Sequence, residues 1–444
     1  MNGLATVLEQ DRDHVFHPWR AQRDRSPIVI TGGQGNYFID DAGNRYLDFH
    51  SGWGHLTLGH QPQQIIDAIV EQVRKLCNVT PDYACEPASH LGQLLSDITP
   101  GDLSKSFFTT GGTDGIETAV KMARAYTGRA KVISRYRSYH GNSYGAGTIS
   151  GDPRRLPLEP AATGIVRALD HYCYRCSFGL SYPSCGVHCA DHIDELIELE
   201  GPHNIAAVVM EPLVASNGGL VPPPEYWPKV RTICDRHGVL LIADEVVSGM
   251  GRTGNWFACE QYNVVPDLLV TAKGLTAGMM PLGATIVRPQ IAEFFESRYL
   301  DAGLTYQSHP VACAAAIATI GFIGSNNLIE RVKTMGEYLM SGMLNLQKKH
   351  VSVGDVRGQG LYVTMELVRN RMSKAPLVPW SSTVFSGDAT REVGRRLLEK
   401  KVKVALRWGR LTAAPPLTVS AAEIDEGLAA IDYALSAADD FCGE

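Results

Sequence analysis

The segments "IAAVVMEP" (Ile205–Pro212), "YWPKVRTICDRHG" (Tyr226–Gly238) and "VLLIADE" (Val239–Glu245) follow one another closely along the chain. The first and third are short, continuously apolar runs, and the middle one reads as a helix. Strands without polar alternation are buried on both faces. Joined through a helix, they predict a parallel sheet with helices packed on either side.

The same alternation extends outward from this unit. "SKSFFTTGGTDGIETAVKMARAYTG" (Ser104–Gly128) reads as strand, glycine turn and helix, with Val120, Met122 and Ala123 at its apolar positions and Gly128 as its stop. "AKVISRY" is a strand, "HIDELIELEG" a helix, and "DLLVTAKG" and "LGATIVR" further short strands. Between Pro62 and Leu76, Ile65, Ile66, Ile69, Val70 and Val73 recur at helical spacing. The strand–helix pattern runs from about Gly59 to Val287. Before it, "GNYFIDDAGNRYLDF" (Gly35–Phe49) reads as a hairpin. After Pro310 come two long helical stretches and then the α+β segments "VGDVRGQGLYVTMEL" and "VKVALRW". The expected class is α/β, with a large domain at residues 60–309 and a smaller α+β domain built from residues 1–59 and 310–444.

Composition narrows the function. The chain has 444 residues and a formal net charge of −6, which gives no reason to expect a nucleic-acid partner. No apolar run reaches the ~20 residues of a membrane span. The polar N-terminus lacks the apolar region of a signal peptide. With ten cysteines and no export signal, a reducing cytoplasm is expected.

In such sheets ligands bind at the carboxyl ends of the strands, and unusual residues fall there. "TTGGT" (Thr109–Thr113) opens a helix, where glycines and free N–H groups suit an anion such as phosphate; an ordinary tight turn would look the same. Asp244 ends a wholly apolar strand, where a carboxylate is costly unless paired. Lys273 stands alone in "TAKGLTAG", and Tyr139 lies in "YRSYHG" after another strand. Pyridoxal phosphate needs all of these: an acid beside its ring nitrogen, a lysine for its aldehyde, a phosphate site and an aromatic face.

The motifs "ADEVVSGMGRTG" and "TAKGLTAGMMPLGA", with "LTYQSHPVACAAA", "DVRGQGLYVTMEL" and "APPLT", resemble those of class III aminotransferases. These are the ω-aminotransferase branch of fold-type I pyridoxal-phosphate enzymes, and the resemblance spans nearly the whole chain. It implies that Lys273 is the Schiff-base lysine and proton shuttle, and that Asp244 pairs with the pyridinium nitrogen. By the same resemblance Val246 packs on the ring face opposite Tyr139, and Gly112 and Thr113 hold the phosphate. Thr305 would reach the phosphate of the other subunit, implying an obligate homodimer or a dimer-based tetramer. Two half-reactions follow, with ping-pong kinetics. For a substrate carboxylate, Arg407 and Arg410 are both candidates, Arg407 preferred. Trp53 is the expected pocket wall, Tyr83 a weaker one.

Some positions depart from the family pattern. "GGTDGIE" stands where Ser-Gly-Ser/Thr-Glu-Ala-Asn is usual. "LVASNGG" (Leu213–Gly219) lacks the Glu or Gln that glutamate-using members place there, which favours pyruvate as acceptor over 2-oxoglutarate. The expected activity is therefore an ω-amino-acid or amine:pyruvate aminotransferase for a small donor of the taurine or β-alanine class. The alternatives on the same scaffold are an ammonia-lyase for a small aminophosphonate or hydroxy-amine, a racemase, a decarboxylase or a non-catalytic pyridoxal-phosphate-binding protein. Finally, Cys173, Cys176, Cys185 and Cys189 in "CYRCSFGLSYPSCGVHC" are spaced to wrap one structural Zn²⁺; packed thiols are the other reading.

Overall fold

The protein's computed structural model describes residues 2–24, 27–380 and 387–443. Near the N-terminus, β1 (Ile30–Gln34), β2 (Tyr37–Asp40) and β3 (Arg45–Asp48) form an antiparallel ribbon. The β2–β3 hairpin forms where the sequence predicts it. Its turn is tied by the Asp40 carboxylate, which accepts the backbone N–H groups of Ala42 at 3.0 Å and Asn44 at 2.7 Å.

The central sheet has seven strands: β4 (Lys105–Thr109), β5 (Lys131–Arg135), β6 (Ile165–Ala168), β7 (Ile205–Met210), β8 (Leu240–Asp244), β9 (Leu268–Thr271) and β10 (Gly283–Val287). Their order is β4-β10-β9-β8-β7-β5-β6. Strands β6, β5, β7, β8 and β9 are mutually parallel, and β10 runs antiparallel between β9 and β4. Every residue of β7, β8, β9 and β10 is buried, as their unbroken apolar character requires. The edge strand β6 carries only a four-residue signal interrupted by Arg167 and is half-buried, so its periodicity is too weak to read. Helix Gly112–Thr127 covers one face of the sheet with Ile116, Ala119, Val120 and Ala123. On the other side, Val230 and Ile233 of helix Tyr226–His237 pack with Ile193 and Ile197 of helix His188–Glu200.

The third sheet contains β11 (Val353–Gln359), β12 (Tyr362–Asn370) and β13 (Ala375–Pro376). β14 (Val402–Lys403) leaves it to pair parallel with β3, so the two ends of the chain meet in one sheet. β15 (Ala405–Arg407) and β16 (Arg410–Ala413) complete the third sheet as a short hairpin, β16 lying beside β12. Among the described residues no single helix is long and apolar enough to cross a membrane. The apolar helix Pro310–Ser325 is instead largely buried in the core.

Candidate active site

The carboxyl ends of β4, β5, β8 and β9 open onto one cavity of about 1590 Å³. Its lining includes Gly112, Thr113, Tyr139, Asp244, Val246 and Lys273, and also Trp53, Arg407 and Arg410. Nine residues singled out from sequence are thus brought to one space. Thr305 and Tyr83 are not: both are exposed and lie outside the cavity lining of their own chain.

Alternation along β8 separates the two carboxylates at its end. Asp244 faces the cavity. Its Oδ2 accepts from His140 Nδ1 at 2.7 Å, and its Oδ1 accepts the Val246 N–H at 3.1 Å. His140 is fully buried, and its Nε2 has no hydrogen-bond partner among the described residues. Glu245 turns the other way, accepting the Cys259 N–H at 2.8 Å and the Ser248 hydroxyl. Burial raises its carboxyl to about 7. Only one of the pair therefore serves the cavity.

Lys273 follows β9 in a short helical turn, at φ 45°. A side chain in this left-handed region costs on the order of 1–3 kcal/mol, a strain typical of functional sites. Burial pushes the lysine pKa down; the charges of Asp244 and Glu211 oppose this and that of Arg154 adds to it. A lowered pKa enlarges the fraction of neutral amine, the form that attacks a carbonyl.

Glu211, unnoticed in the sequence, immediately follows the apolar strand β7, much as Asp244 ends β8. That parallel was the signal for it. Its carboxylate lines the cavity and accepts the N–H groups of Tyr139 and Ala215, each at 3.1 Å. Burial first, and then the charge of Asp244, push its pKa up.

At the start of helix Gly112–Thr127 the backbone comes against β8. A Cβ on Gly112 would lie 2.8 Å from both Val246 methyls, so no side chain fits. Gly112 and Thr113, which open this sixteen-residue helix, line the cavity, and a helix start with its unpaired N–H groups and favourable dipole end suits an anion. Phosphate cradle, buried lysine and buried carboxylate together fit pyridoxal phosphate.

The two candidate arginines differ in surroundings. Arg410 is buried among charges on the β12–β16 ladder, 3.9 Å from Glu366. Arg357, Arg175 and the Tyr172 hydroxyl also bond Glu366, which is held down at about 2, burial opposing these partners. Arg407 is half-buried, and its guanidinium is pushed down to about 10 by burial and then by the charge of Arg154.

The expected zinc site is not supported. Among the described residues no group of three or more His, Cys, Asp or Glu side chains comes together to hold a metal ion. Cys173, Cys176, Cys185 and Cys189 are free thiols around a small pocket of their own with Phe178, Tyr182 and His188. Burial raises Cys173, and Cys189 to about 12, and the neighbouring sulfurs add to this.

A seven-stranded, mostly parallel sheet with this lysine, carboxylate and phosphate cradle at its strand ends defines a pyridoxal-phosphate enzyme of fold type I. The chain belongs to the class-III aminotransferase family, whose profile matches residues 20–435. It is 32% identical over 450 residues to the taurine–pyruvate aminotransferase of Bilophila wadsworthia, covering 97% of each chain. It is 34% identical over 422 residues to a leucine/methionine racemase of Thermococcus litoralis, covering 93% of this chain and 91% of that one. Among solved structures, the taurine:2-oxoglutarate aminotransferase of Bifidobacterium kashiwanohense, in complex with PLP and glutamate, superposes with a TM-score of 0.94. It is 34% identical and covers 98% of both chains. The protein is a pyridoxal-phosphate-dependent aminotransferase.

Proposed function

We propose that the enzyme moves an amino group from a small ω-amino acid or amine, of the taurine or β-alanine class, to pyruvate by a ping-pong sequence. The observation that carries this reading is the presence of Arg407 and Trp53 in the same cavity as Lys273 and Asp244. An anion-binding group and an aromatic wall beside the reactive lysine suit a short donor with a charged end. The taurine–pyruvate relative supports the donor class and the acceptor. In Leu213–Gly219, Asn217 donates to Asp152, and no Glu or Gln is present to neutralise an arginine when a second carboxylate is missing. That favours a monocarboxylate acceptor.

When bound, pyridoxal phosphate supplies an electron sink for the donor's amine-bearing carbon. Gly112 and Thr113 would bind its phosphate, Tyr139 and Val246 would pack against its ring, and Asp244 would keep a proton on the ring nitrogen. His140 orients Asp244. Lys273 would hold the cofactor's aldehyde and, with its amine free, would move a proton at the donor's amine-bearing carbon. Arg407 holds the anionic end of donor and acceptor, and Trp53 bounds the pocket. The partner subunit's Thr305 completes the phosphate site, which makes the active form a homodimer or a dimer-based tetramer. We place the enzyme in the cytoplasm, with domain limits at 1–59, 60–309 and 310–444.

A donor screen with pyruvate and 2-oxoglutarate as separate acceptors tests this. Alanine forming from taurine or β-alanine, and only with pyruvate present, is the expected result. The racemase relative supports a second reading. Inversion of an amino acid without any keto acid would favour it and count against transfer.

A further inference from the structure

Four free thiols, Cys173, Cys176, Cys185 and Cys189, line one pocket of about 20 Å³. A metal needs three or more ligands to converge, and none do so among the described residues, but a disulfide needs only two sulfurs. The thiols stand on two arms of one loop. The first arm is the turn Cys173–Arg175 with Cys176, and the second carries Cys185 and Cys189 where helix His188–Glu200 begins. Between them the chain doubles back, with the Gly179 N–H donating to the Cys176 carbonyl at 3.1 Å and the Cys185 N–H to the Ser181 carbonyl at 2.9 Å. Each arm is anchored to a different part of the molecule. On the first, the Tyr172 hydroxyl and Arg175 Nε donate to Glu366 of β12, and Lys374 Nζ donates to the Tyr174 carbonyl at 2.8 Å. On the second, Lys229 Nζ of helix Tyr226–His237 donates to the Gly186 carbonyl at 3.0 Å, and Val187 and Ala190 are buried with Val230 of that helix and Val208 of β7.

Cys173 is the exposed member of the four and the others are partly exposed, so a small oxidant reaches Cys173 first. Burial raises its thiol, and of the neighbouring sulfurs Cys185 adds most to this, ahead of Cys176. The Tyr182 hydroxyl feels the charge of the same two sulfurs, Cys173 and Cys185. Cys189 is pushed up to about 12, burial first, which makes it a poor nucleophile. We propose that Cys173 and Cys185 are a reversible modification site, oxidised by a small disulfide of the glutathione class to a bond that clasps the third sheet to the helices of the central one. The Cys173 thiolate attacks the oxidant, whose S–S bond breaks and releases one small thiol. The Cys185 thiolate then attacks the Cys173 sulfur of the mixed disulfide and releases the second. The two protein thiols lose two electrons and two protons, and the oxidant gains both. The bond closes the loop between the two arms and so restricts the unfolded chain. In the reducing cytoplasm proposed above it is transient and reports the redox state.

The test equilibrates the holoenzyme with mixtures of reduced and oxidised glutathione at mildly alkaline pH, where more thiolate is present, then alkylates it with iodoacetamide and maps the peptides by mass spectrometry. In the oxidised mixtures a Cys173–Cys185 cross-link is expected, and dithiothreitol should return both to alkylatable thiols. Cys185→Ser removes the second thiol and should trap glutathione on Cys173. Cys173→Ser should form no cross-link. The thermal midpoint of oxidised wild type should exceed that of the reduced protein by several degrees, and Cys173→Ser should show no difference between the two conditions. Four thiols that stay alkylatable at every glutathione ratio would overturn the proposal. So would a cross-link that joins a different pair, or a Cys173–Cys185 bond that leaves the midpoint unchanged. The wild-type map decides the matter even where a serine variant fails to fold.

Discussion

Asp244 shows how much one residue's surroundings decide. Its carboxylate is desolvated, bonded by His140 on one oxygen and by a backbone N–H on the other, and faces the cavity that holds Lys273. Asp244→Asn keeps the shape and removes the charge proposed to hold a proton on the cofactor's ring nitrogen. The expected loss in turnover is at least the ~1.5–3 kcal/mol of a charge-assisted hydrogen bond, about 10- to 100-fold. Cofactor should still bind. Steady-state kinetics on the cofactor-saturated variant check this, and near-normal kcat would contradict the role. Asp244 and Lys273 were legible in the sequence because charged residues at the ends of apolar strands are conspicuous. His140 and Arg154 were not. His140 lies in a loop and Arg154 in a short helical turn, and only the tertiary fold brings His140 to Asp244 and Arg154 onto Tyr139.

At the scale of elements, a helix start approaches a strand end tightly where the phosphate cradle is proposed. Gly112→Ala would drive a methyl to 2.8 Å from two Val246 methyls. The helix start must shift, so cofactor affinity should fall by about tenfold or more, while overpacking should cost stability roughly 1–3 kcal/mol. Cofactor titration by fluorescence measures the first, and denaturant unfolding of apo-protein the second. Gly112→Ala combined with Val246→Ala should recover much of both, since the second change removes the clashing methyls. The alternating strands and helices were readable because parallel strands covered on both faces are continuously apolar. β6 was not, being short, half-buried and interrupted by an arginine. Nor was the behaviour of the four-cysteine segment: spacing shows that ligands could meet, whereas among the described residues no group of three or more comes together to hold a metal ion.

For the whole molecule, Glu366 joins elements far apart in sequence. It sits on β12 and bonds Arg357 of β11, with Tyr172 and Arg175 from the loop after β6. Its pKa is lowered from 4.5 to about 2. A depressed carboxylate stabilises the fold above its unfolded pKa, and this contribution disappears as pH falls from about 4.5 through about 2. The shift corresponds to about 3 kcal/mol. The stability gap between wild type and Glu366→Gln, from denaturant unfolding at stepped pH, should be widest above pH 4.5 and should narrow across that window. A gap independent of pH would show that the charge of Glu366 contributes nothing.

Assembly belongs to the same scale. Thr305 is exposed and outside its own chain's cavity lining, so a role at a phosphate requires a neighbour. A heterodimer of one Lys273→Ala chain and one Thr305→Val chain discriminates. If the site is shared, one site carries both defects and the other neither, giving one fully active site per dimer. Finding no unimpaired site in the isolated heterodimer would refute the shared site.

We infer that the buried lysine at the end of β9 is where this enzyme holds its cofactor. Borohydride reduction of the yellow holoenzyme, followed by peptide mapping, tests it most directly. A single pyridoxyl label is expected on the peptide containing Lys273, with no label and no yellow colour in Lys273→Ala. A stoichiometric label on any other lysine would contradict it.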